Sequence, residues 1–173
     1  VTDLNVGLYI TAILALSRTA SERNVAHQAM SLLHSYVEYC QTHDKVIASI
    51  IPFNAVITAW GKMNNRRNNQ ASQNARRVLN LMYELNRQQP LVFGQVQPEA
   101  LTYNAVMHAT KNPLHVESIL KQMQSHSIAP DAYTYTILTA VHAQNGNPEM
   151  AESYLREMQS LYDNGQNIDI KPT

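Results

Sequence analysis

Residues 96–104 read VQPEALTYN, and residues 128–136 read IAPDAYTYT. Both stretches have an aliphatic residue, then a proline, an acidic residue and an aromatic residue at the same spacing. A third copy of the opening phrase, Ile170-Lys171-Pro172-Thr173, stands at the last residue. Recurrence over a few tens of residues predicts an array of structural repeats. Because the third copy is interrupted there, we expect the chain to be a piece of a longer protein.

Helical patterning extends this repeat over the whole chain. Four segments start at an aromatic residue and carry apolar residues at relative positions 0, 3, 4 and 7, which is one face of a helix. The last two are less complete, because Thr110 and Thr139 occupy positions of the stripe. These segments, the A helices, start their stripes at Tyr9, Phe53, Tyr103 and Tyr135. A second stripe of the same kind follows each one. These segments, the B helices, start their stripes at Ala29, Ala75, Val116 and Ala151.

A single pair of such helices has an apolar face that it cannot bury alone, so neighbouring pairs must stack. We therefore predict an all-α fold, a right-handed α-solenoid of about four stacked antiparallel helix pairs. The predicted repeats are residues 6–49, 50–99, 100–131 and 132–173. The aromatic starts lie 44, 50 and 32 residues apart (9 to 53, 53 to 103, 103 to 135). We expect the connections between helices to absorb these differences in length.

Several helix starts are marked chemically. Asn112-Pro113 and Asn147-Pro148 each place an N-cap side chain before a proline that suits the first helical position. Thr19 and Glu22 have the spacing of a capping box. The apolar stripe disappears over residues 64–69, NNRRNN, so we predict a loop between two helices there.

Composition limits the functional classes. Hydrophobic residues make up 45% of the chain, which excludes a disordered chain. The 13 basic and 13 acidic residues balance, so a nucleic-acid partner would require charges segregated onto one surface. Cys40 is the single cysteine, and it continues the apolar stripe four residues after Tyr36, which predicts a buried thiol. No apolar run is long enough for a membrane span, so we expect no membrane partner.

The sequence shows no pattern typical of a metal or catalytic site. The histidines lack ligand spacing on one helix turn, and there is no cysteine pair. Glycine-rich phosphate loops and dinucleotide fingerprints are absent from the sequence. We therefore predict no metal, no cofactor, no small-molecule substrate and no enzymatic activity for these residues. A catalytic domain elsewhere in a longer protein stays open.

The repeated phrases resemble the pentatricopeptide repeat. The resemblance is carried by residues 101–107, by a B helix that ends in Lys121-Gln122-Met123, and by residues 128–138 followed by the stripe at 151–158. It is most specific over residues 98–173, and the repeat lengths here depart from the family's regular period. The resemblance implies binding of single-stranded RNA in a mitochondrion or plastid, with one base per repeat read by two or three side chains.

Carried over residue by residue, the resemblance implies three sets of contact positions. The first readers, just after the aromatic, are Ile10, Asn54, Asn104 and Thr136. The readers at the repeat ends are Ser49, Glu99, Asp131 and Thr173. The side chains that pack on a base are Gly7, Ile51, Leu101 and Tyr133. Asn and Thr can hydrogen-bond the edge of a base. Ile10 cannot, and Gly7 has no side chain to pack on a base. We therefore expect the first repeat to recognise a base poorly.

The pairs of readers imply base preferences. Asn104 with Asp131 matches the family's pairing for uracil, Asn54 with Glu99 indicates a pyrimidine, and Thr136 indicates a purine. Arg18 and Lys62 occupy equivalent positions near the ends of their A helices. Lys111 stands one residue away from the equivalent position in the third A helix. In the family, a basic residue near this place meets phosphates. The alternative is that these cations only complement the helix dipole.

A protein-binding scaffold like the tetratricopeptide repeat arrays is the alternative function. The neutral net charge favours it, as do Gly7 and Ile10 at contact positions. Against it, the A helices lack the tetratricopeptide pattern of tryptophan followed by leucine-glycine. A neutral or acidic groove with an apolar patch would favour a peptide partner.

Overall fold

The structure is a computed structural model, and it describes residues 4–19, 23–43, 45–63 and 70–163. These residues form helices and contain no strand, which confirms the predicted all-α class. The helices are α1 (Leu4–Arg18), α2 (Arg23–Thr42), α3 (Ile51–Lys62), α4 (Gln70–Gln88), α5 (Pro90–Phe93), α6 (Ala100–His108), α7 (Pro113–Ser125), α8 (Ala132–Gln144) and α9 (Pro148–Asp163).

The helices are arranged in two layers. The A helices α1, α3, α6 and α8 contact one another in chain order. The B helices α2, α4, α7 and α9 each pack on the A helix of their own pair, and α2, α4 and α7 also contact the A helix of the next pair. Contacts between successive pairs along the chain define a solenoid, so the predicted α-solenoid of stacked helix pairs is confirmed.

The core lies between the two layers and follows the predicted stripes. Three of the four A-helix aromatics, Phe53, Tyr103 and Tyr135, are buried, while Tyr9 is half-buried. From the B helices, Leu33, Leu79, Met82, Ile119 and Met123 are buried against them. Full burial of one such side chain contributes about 1.5–3 kcal/mol relative to leaving it exposed. The stripe residues therefore hold the two layers together.

Buried tyrosine hydroxyls tie the two layers at defined points. The Tyr103 hydroxyl lies 2.8 Å from the Tyr83 hydroxyl and 3.1 Å from Nδ1 of His126. The Tyr135 hydroxyl donates to Oε1 of Glu157 at 2.9 Å. Burial, followed by the hydrogen bond to Tyr83, raises the pKa of Tyr103 well above its ordinary value. The phenol therefore stays a neutral hydroxyl that can both donate and accept.

The differences in repeat length are distributed differently from the prediction. Helices α2 and α4 have 20 and 19 residues, whereas α7 has 13 and α9 has 16. The expectation that the connections alone absorb the differences was therefore wrong, because the B helices share them. The connection between α2 and α3 contacts the connection between α4 and α6, which contains α5. The backbone N–H of Ala48 in the first donates to the carbonyl of Val92 in the second at 2.8 Å.

Some local predictions are confirmed and others fall outside the described residues. Asn112 caps α7, because its side chain accepts hydrogen bonds from the backbone N–H groups of Leu114 and His115. Helix α9 begins at Pro148, and Cys40 is buried. Glu22 of the predicted capping box, the predicted loop at 64–69 and the phrase at 170–173 lie outside the described residues. None of the described helices has the length and apolarity that crossing a membrane requires.

We expect Leu79→Ala to lower the free energy of unfolding by about 2–5 kcal/mol, because it leaves a cavity in the core. Leu91→Ala is the matched control, and we expect it to change stability by less than about 0.5 kcal/mol. The side chain of Leu79 is 1% exposed and that of Leu91 is 92% exposed. Urea unfolding followed by circular dichroism measures both, and equal losses would contradict the placement of α4.

Candidate functional site

Large apolar side chains lie exposed at the start of three consecutive A helices. Ile51, Leu101 and Tyr133 are 48%, 60% and 51% exposed. Each stands two residues before the buried aromatic of its helix. Gly7 is the equivalent residue in α1, and a Cβ atom added there would meet no described atom within 4 Å. Three predicted base-packing side chains are thus available at the surface, and the first repeat has an open space instead.

Leu101 and Tyr133 border two adjoining cavities along α3, α6 and α8, whereas Ile51 lines neither of them. The smaller, about 190 Å³, is lined in part by Leu101, Tyr133 and Lys62. The larger, about 620 Å³, is lined in part by Tyr133, Thr136, Lys62 and Lys111. Because Lys62 and Tyr133 line both, we treat the cavities as one surface and call it the A-helix groove. It brings together Lys62, Leu101, Tyr133 and Thr136 of the predicted site.

The A-helix groove has a basic character. Lys62, Lys111 and His108 contribute to its lining, and the described lining residues include no carboxylate. The ammonium of Lys62 donates to the Ser17 carbonyl at 2.9 Å, so it also satisfies a carbonyl at the end of α1. An ammonium has three donors, so this bond leaves donors for an anion. Arg18 is exposed at the end of α1 and is not part of either cavity lining.

Asn104 and Asp131, the predicted uracil readers, are directly hydrogen-bonded. Nδ2 of Asn104 donates to Oδ1 of Asp131 at 2.9 Å, and the Thr134 hydroxyl donates to Oδ1 of Asn104 at 2.7 Å. Asp131 is also the N-cap of α8, where its carboxylate accepts the backbone N–H of Thr134 at 2.8 Å. The Asn104 side chain is only 2% exposed. Asn104 and Asp131 are therefore part of the contact between the repeat of α6 and the repeat of α8.

Asn54 and Glu99 are not joined in this way. Oδ1 of Asn54 accepts a hydrogen bond from the Thr102 hydroxyl at 2.9 Å, and Asn54 is half-buried. Glu99 is exposed, and in the described part of the chain no hydrogen bond connects it to Asn54. The backbone N–H of Glu99 donates to the Thr102 hydroxyl at 3.2 Å. In the described structure the Asn54 amide is therefore hydrogen-bonded through its oxygen only.

The remaining predicted contact residues have different surroundings. Thr136 is exposed, and its hydroxyl donates to the Ala132 carbonyl at 2.8 Å, so the oxygen offers lone pairs to the groove. Ile10 is half-buried against the core. The Ser49 hydroxyl accepts the backbone N–H of Ile51 at 3.2 Å and so serves the start of α3. Thr173 lies outside the described residues.

Three residues with no predicted role belong to this site. Thr102 and Thr134 bridge to the asparagine of the preceding repeat. Their signal in the sequence is the Thr-Tyr pair common to both stretches that define the repeat. His108 lies in the groove beside Gly61, where an added Cβ would come within 3.4 Å of Nδ1 of His108. A side chain at 61 would therefore be in van der Waals contact with His108, and no periodicity marks either residue.

The described residues contain no group of three or more His, Cys, Asp or Glu side chains arranged to hold a metal ion. The polar groups at the A-helix groove are instead amides, hydroxyls and cations. Such groups can hydrogen-bond a polar ligand and neutralise negative charge. The described lining residues of the groove can therefore bind a polar, negatively charged ligand.

We expect Asn104→Ala to lower the free energy of unfolding by about 1–3 kcal/mol, because it leaves the Thr134 hydroxyl and one Asp131 bond without their partner. Asn54→Ala is the matched control at the preceding repeat, and we expect a smaller loss because that side chain is half-buried and makes one such bond. Thermal or urea unfolding compares the two. A larger loss for Asn54→Ala would contradict the structural role of the Asn104 pair.

Comparison with known proteins supports the resemblance for one part of the chain. Residues 133–162 match the family described as PPR repeat, the pentatricopeptide repeat. The match covers nearly all of α8 and α9 and confirms the family resemblance in this region. No curated protein matches the chain.

Proposed function

We propose that the chain binds single-stranded RNA along the A-helix groove and selects it by sequence, in the RNA metabolism of a mitochondrion or plastid. The observation that carries the proposal is the recurrence of exposed Ile51, Leu101 and Tyr133 at one position of successive A helices. Asn54, Asn104 and Thr136 stand three residues later in the same helices. The organelle is proposed from the family resemblance alone.

The chemistry of a nucleotide suits these three kinds of group. The apolar faces of a base can pack on Leu101 or stack on Tyr133. The polar edge of a base can hydrogen-bond an asparagine amide or a threonine hydroxyl. The phosphates carry negative charge, and Lys62 and Lys111 supply positive charge in the same groove. A chain with zero formal net charge thus still presents a locally basic surface.

The reading capacity of these repeats is small. If one repeat reads one base, about four repeats specify at most about four bases. The poor first repeat, with Gly7 and Ile10 at contact positions, lowers this number further. Selection of a single transcript would therefore require further repeats or a protein partner.

A protein-binding scaffold is the second candidate, and one observation favours it. Leu8, Tyr9, Ala12 and Leu32 line an apolar cleft of about 450 Å³ between α1 and α2. Leu8 is largely exposed. An exposed apolar cleft suits a protein partner. The basic lining of the A-helix groove favours RNA at that surface instead.

We expect Tyr133→Ala to weaken binding of single-stranded RNA by about 1–3 kcal/mol, because a stacking side chain is lost. Tyr162→Ala is the matched control, since Tyr162 is exposed on α9 and is not among the groove residues. A gel-shift titration with pyrimidine-rich and purine-rich oligomers measures the affinities. RNA affinity no higher than that of a neutral control protein would refute the proposed function.

We expect Lys62→Gln to reduce the slope of log affinity against log salt concentration by about 1. The reason is that one phosphate contact, with its released counterion, disappears. Lys121→Gln is the matched control, because Lys121 is exposed on the B helix α7. Titrations at several salt concentrations give the slopes. An unchanged slope for Lys62→Gln would leave Lys62 only its bond to the Ser17 carbonyl.

A further inference from the structure

One side of α1 is exposed, although the corresponding side is buried in each of the following A helices. Leu8, Ala12 and Ala15 share this side, because residues four and seven places apart lie on one face of a helix. All three are exposed, and we call them the α1 face. Counted from the aromatic of each stripe, the corresponding residues of α3, α6 and α8 are all buried: Pro52, Val56 and Ala59, then Thr102, Val106 and Ala109, then Thr134, Leu138 and Val141.

The preceding helix pair covers these positions in the later repeats. Helices α3, α6 and α8 each contact the A helix before them. The Thr102 and Thr134 hydroxyls, for example, donate to Asn54 and Asn104 of the preceding A helices. Helix α1 packs on α2 and α3, and its three face residues stay exposed among the described helices. The α1 face therefore has the position of a stacking face that another helix would cover.

The chemistry of the α1 face limits what can cover it. Leu8 is 61% exposed, and together with Ala12 and Leu32 it lines the apolar cleft of about 450 Å³ between α1 and α2. Arg18, at the end of α1, is the one charged residue of this helix. Leu8 has no hydroxyl for the bond that threonine makes at the same position of α6 and α8. A surface that covers the α1 face must therefore be apolar and uncharged.

We propose that the α1 face packs against the α1 face of a second copy of this chain, with the two α1 helices antiparallel. Ala12 lies near the middle of the face, with Leu8 four residues before it and Ala15 three residues after it. An antiparallel pair centred on Ala12 thus sets the Leu8 of each copy opposite the Ala15 of the other. A large side chain then meets a small one at both ends, which permits close packing of the helices.

This symmetric pairing fits the residues better than a head-to-tail contact does. Asn54 and Asn104 face the following A helix in α3 and α6, and α8 has Thr136 at the same position. A head-to-tail contact would set this exposed hydroxyl against Leu8, and burial of a hydroxyl without a hydrogen-bond partner is unfavourable. The symmetric pair instead buries apolar surface on apolar surface, and it closes with two copies.

The inference does not rest on the proposed RNA binding, because the oligomeric state is measured without RNA. One consequence does rest on it. A second copy would supply the protein partner that the small reading capacity of these repeats requires, since it brings a second A-helix groove to the same RNA.

Sedimentation equilibrium over a range of protein concentrations tests the pairing. We expect wild-type protein to form a reversible dimer. Leu8→Glu and Ala15→Lys should each raise the dissociation constant of the dimer at least about tenfold, because each places a charge in an apolar contact. Leu114→Glu is the matched control and should leave the constant unchanged, since Leu114 is 74% exposed on α7, away from α1. Circular dichroism checks that each variant is folded.

A mixture of the two charged variants tests the antiparallel arrangement itself. In a mixed dimer the new carboxylate of Leu8→Glu lies opposite the new ammonium of Ala15→Lys, and the other end of the contact is unchanged. We therefore expect an equimolar mixture to dimerise about tenfold more tightly than either variant alone. Recovery in the mixture, with Leu114→Glu like wild type, supports the proposal.

Three outcomes would overturn it. Wild-type protein that stays monomeric at about 100 μM would mean that a different partner covers the α1 face. Assemblies that grow beyond two copies would indicate a head-to-tail contact. A dimer that Leu8→Glu leaves intact, or a mixture without recovery, would place the contact on another surface or in another orientation.

Discussion

The burial of the aromatic residue at the start of the stripes of α3, α6 and α8 determines the rest of the site. Successive residues of a helix are rotated by about 100°. With Tyr103 buried in the core, the residue two places earlier lies on nearly the opposite face, and Leu101 is indeed exposed. The residues on either side of Tyr103 are Thr102 and Asn104, which lie on the two flanks of the helix. One flank meets the preceding A helix and the other meets the following one, so the threonine of one repeat reaches the asparagine of its neighbour.

This geometry also explains which features could be predicted from the sequence. The helices and their buried faces follow from periodicity, which is a local property, and the cap at Asn112 follows from the Asn-Pro pair. The bonds at the repeat boundaries could not be predicted, because their partners are 48 and 30 residues apart in the chain. The lengths of α2 and α4 were also missed. Helix α2 continues a periodic pattern and ends without a stop signal such as proline, whereas α4 ends two residues before Pro90.

A comparison of the two reader pairs shows how sensitive the boundary is to one methylene group. Asp131 caps α8 with its carboxylate and also accepts the Asn104 amide. Glu99 occupies the corresponding position before α6, but its longer side chain is exposed and its carboxylate does not bond to Asn54 in the described structure. The resemblance to the pentatricopeptide repeat identifies Asp131 and Glu99 alike as residues that read a base. Whether the acidic residue also bonds to the asparagine of the preceding A helix depends on the distance its side chain must span, and the sequence alone does not contain that distance.

The hydrogen bond between Ala48 and Val92 has a mechanical consequence. In a solenoid, the small rotations between neighbouring repeats add up to the curvature and twist of the whole array. The bond links the connection that enters α3 with the segment that follows α4, and so acts as a tether beside the second helix pair. A change in the spacing of the repeats at this place therefore requires the hydrogen bond between Ala48 and Val92 to lengthen or break.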